Sequence, residues 1–215
     1  MNEFSSADWF AALTVALPLF AVGVASPGPA TLAIMNTSMR SGRGQGLALG
    51  LGICFGSLFW GLLAAWGLAA VLALQVKLLI ALKVSGALYF LWLASKLLRS
   101  AWRAAPLQAK NTQTYSHFAG QYLSGLMLHL LNPKAMFVWM AVIAIGLSQM
   151  QNPNPYTASG VTLVCWFFSV VVFMGYALVF STDKSIAIYR AFSRWIDGVC
   201  GVVFILAGVA ILLTV

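Results

Sequence analysis

Lys134 follows directly on Asn132-Pro133 inside one apolar stretch, and Pro27-Gly28-Pro29 interrupts another near the N-terminus. Proline removes a helix donor and clashes with the preceding turn, so each motif is expected to break a helix. In a bilayer no water meets the freed carbonyls and amides, and such breaks persist only where protein or an aqueous cavity takes them up. Pro29 and Pro133 stand about half of the 215-residue chain apart. A matched pair of broken spans in two halves is the best sequence pointer to a transporter's binding site. Pro27, Gly28, Pro29, Asn132, Pro133 and Lys134 are therefore the first candidate residues. An ammonium at mid-membrane costs about 2.5–3.5 kcal/mol, so Lys134 is expected to be partnered or to serve a site. Snorkelling is the bland alternative, and for Lys83, nearer the start of its own apolar stretch, it is as good an account as function.

Acids are scarce: Glu3, Asp8, Asp183 and Asp197. Asp197, just inside the last apolar run, is the best carboxylate to carry a proton, and His129, one turn before the second break, titrates near neutral pH. Each also has a structural reading, Asp197 as a neighbour of Arg194 and His129 as a neutral hydrogen-bonded ring.

The elements that must position these residues follow from composition. Apolar residues make up 61% of the chain and charged ones 7%, against about 25% charged in a soluble domain. This predicts an all-α integral membrane protein. With no Lys or Arg before Arg40, the N-terminus lacks the basic region of a secretory signal and reads as a first transmembrane helix. Apolar runs at Trp9–Met35, Gly46–Ala73, Leu78–Leu98, Phe118–Leu147, Tyr156–Phe180 and Trp195–Val215 give about six spans at roughly 20 residues per crossing. The first and fourth runs exceed one crossing, and these carry the breaks.

Arg40 and Arg43 follow span 1; Lys96, Arg99, Arg103 and Lys110 follow span 3; Lys184, Arg190 and Arg194 follow span 5. The positive-inside bias places these segments in the cytoplasm and both termini outside. The net charge of +8 is thereby explained without nucleic acid. Three spans per half is odd, so the halves, 1–98 and 118–215, are expected as inverted repeats joined by a basic cytoplasmic linker, 99–117.

Span 2 carries Gly46/Gly50 and Gly52/Gly56, small-xxx-small pairs that let helix backbones approach. Cys54, Cys165 and Cys200 are scattered in apolar runs and fit neither zinc spacing nor a disulfide framework. No Walker A segment, His-Glu-x-x-His or Gly-x-Ser-x-Gly elbow around Ser57 occurs, so no cofactor, metal or catalytic residue is expected. A secondary exporter is the chief reading. A scaffold or assembly subunit, or a membrane-embedded enzyme, are the alternatives, and a homo-oligomer is left open.

Four motifs in order carry a likeness: Pro27-Gly28-Pro29, the glycine-rich second span after Arg43, Lys83-x-x-Gly86-x-x-Tyr89, and Asn132-Pro133-Lys134-Ala135. Together, over nearly the whole chain, they resemble the LysE/RhtB family of amino-acid exporters. The resemblance implies a bacterial inner-membrane protein that exports amino acids or close derivatives and is driven by the proton gradient. It adds Ser57, Lys83 and Tyr89 to the candidate residues. Some family members carry an acid in span 2 where this chain has Ser57, which points to a neutral substrate rather than a cationic one. On this likeness Lys134 is expected to meet the substrate carboxylate, aided by free amides of a half-helix beginning after Pro29 or Pro133.

Overall fold

Both proline motifs end helices as their chemistry requires. In the computed structural model, which describes residues 6–74, 76–103, 117–150 and 154–213, α1 (Ser6–Ala25) stops just before Pro27, and α2 (Pro29–Ser41) begins on Pro29. Proline is tolerated there because the first-turn N–H has no intrahelical acceptor. The break bends the pair by 48°. α5 (Phe118–Leu130) and α6 (Pro133–Ser148) repeat the arrangement around Asn132 with a 60° bend. Two long helices follow each bent pair: α3 (Arg43–Leu74) and α4 (Val76–Arg103) in the first half, α7 (Pro155–Val179) and α8 (Asp183–Leu212) in the second. Gly42, at φ +86°, makes the reversal from α2 into α3, a conformation that a residue with a Cβ adopts at a cost.

The chain is an all-α, multi-span membrane protein. Among the described residues α3, α7 and α8 each hold a stretch long and apolar enough to cross a membrane, and each bent pair passes when taken as one span, giving up to five crossings. The remaining run falls on α4, the least apolar of the long helices because Lys96, Arg99 and Arg103 crowd its end. Several basic residues assigned to connections ride on helices instead. Arg99 and Arg103 finish α4, while Lys184, Arg190 and Arg194 fall on the first half of α8. Arg43 Nε donates to Ser181 Oγ at 2.6 Å. The α2–α3 and α7–α8 connections therefore share one face, as the alternation of charge requires.

The two halves interlock. α3 packs on α5 and α6, the broken span of the other half, and α7 packs reciprocally on α1 and α2. The equivalent helices α3 and α7 also meet, as do α4 and α8. This exchange is what an inverted repeat produces. Glycine allows the α3–α5 contact: a Cβ on Gly52 would run into the Tyr122 carbonyl, and one on Gly125 into the Leu49 carbonyl. The two helices touch backbone to backbone, so the small-residue face on α3 serves close packing. Cross-bonds fasten α3 to α7, with Trp166 Nε1 donating to the Cys54 carbonyl at 2.9 Å.

Candidate functional site

Four carbonyls near the end of α1 are each accounted for. Ser26 N donates to Val22 O at 2.9 Å and Ser26 Oγ to Gly23 O at 3.0 Å. Tyr176 Oη donates to Ala25 O at 3.2 Å. Lys134 Nζ donates to Ser26 O at 2.8 Å and to Ser26 Oγ at 2.6 Å. Lys134 sits on the first turn of α6, where the helix dipole disfavours a cation, but its ammonium reaches the carbonyl end of α1, where a cation is favoured. The two breaks are thus joined by one side chain. With Lys134 7% exposed, snorkelling is ruled out.

Gly28 shows why the first motif lacks a side chain at its centre. A Cβ there would lie 3.1 Å from Lys134 Nζ and 3.3 Å from its Cδ. Its backbone is extended, at φ −170°, so space, rather than conformation, is the constraint. The two half-helices starting at the breaks differ at their N-termini. Asn132 caps α6, its Oδ1 accepting from Lys134 N at 3.1 Å. α2 has no side-chain cap, leaving the positive end of its dipole open.

Between these ends lies a cavity of about 30 Å³, whose polar edge includes Gly28, Thr31, Ser57, His129, Asn132 and Lys134. A polar space of that size has room for ordered water. A larger solute requires the walls to part. Phe20 and Trp139 form the apolar wall, ring centroids 4.4 Å apart, and Trp139 Nε1 donates to Ser57 Oγ at 3.0 Å. His129 is 5% exposed, edge-on to Phe173 at 6.1 Å, and neither ring nitrogen has a hydrogen-bond partner.

The structure therefore brings Gly28, Asn132, Lys134, Ser57 and His129 to one cavity. Pro27 is buried beside it, and Pro29 and Pro133 start the two half-helices. Tyr89 stands apart, stacked on Phe137 of α6 at 4.4 Å and 22°, one turn from Lys134. Gly86 lines a larger apolar cavity of about 560 Å³ between α1, α6, α4 and α8, which no charged side chain lines among the described residues. Lys83 lies on α4, and its side chain is outside the described residues. Asp197 is 2% exposed on α8 against α4; its Oδ2 accepts from Ser100 Oγ at 2.6 Å, and its Oδ1 has no partner. Its partner is thus Ser100 rather than Arg194. Asp197 and Lys134 remain close enough to interact electrostatically.

Ser26, Thr31, Trp139 and Phe20 were not among the candidates. Ser26 had a readable signal, a hydroxyl immediately before the Pro27 break. Trp139 and Phe20 look like any apolar side chain in a membrane span until the tertiary fold sets them against each other and Trp139 against Ser57.

Residues 21–214 match the family model described as LysE type translocator. The threonine efflux protein of Escherichia coli is 26% identical over 203 residues, covering 94% of this chain and 97% of that protein. The threonine efflux protein of Salmonella typhi is 26% identical over 194 residues, covering 90% and 93%. A membrane protein of Bacillus subtilis, YrhP, is 30% identical over 172 residues, covering 75% and 82%. No solved structure matches the chain.

Proposed function

The chain belongs to the LysE type translocators, and from that premise we propose that it is a secondary active transporter exporting neutral amino acids, or close derivatives, from the cytoplasm by proton antiport. The observation that carries the reading is the junction of the two breaks, where a buried ammonium and an uncapped helix N-terminus face one small cavity. A carboxylate entering there takes Lys134 from Ser26 and lies against the amides that open α2, both favourable for an anion. With Ser57 in place of an acid, no carboxylate among the described residues lines the cavity as counter-ion for a cationic side chain. The threonine efflux proteins among the relatives support an amino acid as cargo.

Asp197 is the proposed proton carrier, a buried carboxyl with one oxygen unpartnered and Lys134 within electrostatic reach. The energetics suffice. One charge crossing 100 mV releases about 2.3 kcal/mol and a tenfold gradient costs about 1.4 kcal/mol, so one proton per neutral amino acid sustains roughly a 40-fold gradient. The charge pattern supports an inner-membrane orientation with both termini in the periplasm; a periplasmic reporter fused after Val215 is then active and a cytoplasmic one silent.

Counterflow in proteoliposomes with a panel of labelled neutral amino acids tests the function. Accumulation of at least one is expected, and failure with every member, by folded protein, rejects the proposal.

A further inference from the structure

The cavity has more unspent hydrogen-bonding capacity than a carboxylate uses. An ammonium carries three protons; Ser26 takes two from Lys134, and α2 lacks a side-chain cap. Those groups all donate, and they serve the negative end of an amino acid. The positive end needs an acceptor, and most acceptors at the cavity are engaged. Asn132 Oδ1 receives Lys134 N, Ser57 Oγ receives Trp139, and Gly28 O receives Leu32 N. His129 is different. It is 5% exposed, it lines the cavity, and both of its ring nitrogens are unpartnered. A neutral imidazole offers one acceptor nitrogen, and a buried polar group left unmade is costly, so a ligand that completes it gains more than one that does not.

We infer that His129 accepts a hydrogen bond from the substrate's α-ammonium, opposite the carboxylate at Lys134 and the start of α2. The inference rests on the amino-acid reading above and deepens it. The recognised class is then the zwitterion with an uncharged side chain. An α-hydroxy acid satisfies the donors but brings no ammonium to His129. A cationic amino acid adds a further positive charge, beyond its α-ammonium, to a cavity that already holds Lys134 and that no carboxylate lines among the described residues. His129 thereby selects for the free amino group and leaves proton carriage to Asp197.

The test pairs each amino acid with its hydroxy counterpart on the purified full-length chain in lipid nanodiscs: L-alanine with L-lactate, L-serine with glycerate, and L-threonine with 2,3-dihydroxybutanoate. The wild type is expected to bind the amino member of at least one pair about tenfold or more tighter, the worth of a hydrogen bond to a charged group. His129→Leu should erase that preference by weakening the amino acid alone, while His129→Gln, which keeps an acceptor oxygen, should retain it. An undiminished preference in His129→Leu overturns the role of His129. Equal binding of the two members by the wild type overturns it as well and leaves amino-acid transport standing. Binding of no amino acid removes both readings. A measurement on the wild type guards against a variant that does not fold. The chain has two histidines, of which His117 is exposed, so ring-nitrogen ¹⁵N NMR resolves His129. L-threonine, L-serine or L-alanine should shift its acceptor nitrogen and the hydroxy acids should not; no amino-acid shift overturns the inference.

Discussion

The Trp139 indole N–H donates to the Ser57 hydroxyl at 3.0 Å while the same ring lies 4.4 Å from Phe20. One side chain of α6 therefore fastens α3 and α1 across the cavity. The cavity measures only about 30 Å³, so substrate admission needs this latch to give way. Ser57→Ala leaves the buried indole N–H without its acceptor, a loss of about 1–3 kcal/mol. Thermal unfolding in detergent should show a lower midpoint than wild type, and an unchanged midpoint would remove the latch.

Lys134→Ala should abolish counterflow while leaving membrane insertion intact. The ammonium sits in 7% exposure with both acceptors on one residue, Ser26, so its removal unpins the breaks from one another and deletes the cation for the carboxylate. Insertion should survive because a mid-membrane charge opposes it by about 2.5–3.5 kcal/mol. Full transport by a correctly inserted Lys134→Ala would reject the carboxylate contact.

Glycines on the long helices should divide sharply by what faces them. Gly52→Ala drives a methyl into the Tyr122 carbonyl and to 2.7 Å from Leu126 N, both backbone atoms. The helices must separate, and overpacking of this kind costs typically 1–3 kcal/mol or more. Gly175 has nothing within 4 Å of an added Cβ, so Gly175→Ala should gain up to about 1 kcal/mol of helix propensity. Yield of monodisperse protein and unfolding temperature should fall for the first and hold or rise for the second. The reverse order would contradict the α3–α5 packing.

Asp197→Asn keeps the shape of a side chain that accepts from Ser100 Oγ at 2.6 Å but no longer takes up a proton. Exchange of labelled for unlabelled amino acid should persist in proteoliposomes, whereas accumulation driven by an imposed proton gradient should vanish. Retained gradient-driven accumulation would release Asp197 from the coupling role.

Much of this was legible in the sequence because proline acts locally. Pro29 and Pro133 fix the half-helix starts whatever surrounds them, and Lys134 stands out because the membrane makes any charge conspicuous. The partners were not legible. Nothing near Lys134 in the chain says that its ammonium travels to Ser26, and the glycines of α3 did not announce α5 rather than α4 as their neighbour. Helix ends beyond the apolar runs were also obscure. Asp183–Arg194 contains no glycine or proline to stop a helix, yet a count of apolar residues treats it as a connection. Tyr89 entered by resemblance and proved to stack on Phe137, one turn from the cavity's lysine rather than at its edge.

The reciprocal packing of the halves imposes a schedule on synthesis. The face of α3 that carries Gly52 has its partner on α5, around Tyr122, Gly125 and Leu126, and ribosomes add about 5–20 residues per second. For several seconds, then, α1–α4 stand in the bilayer with a glycine groove filled by lipid and with Ser26 awaiting its lysine. Each half is the other's template, so a truncated chain ending after α4 should be an unfinished protein rather than a small one, and a natural target for membrane proteolysis.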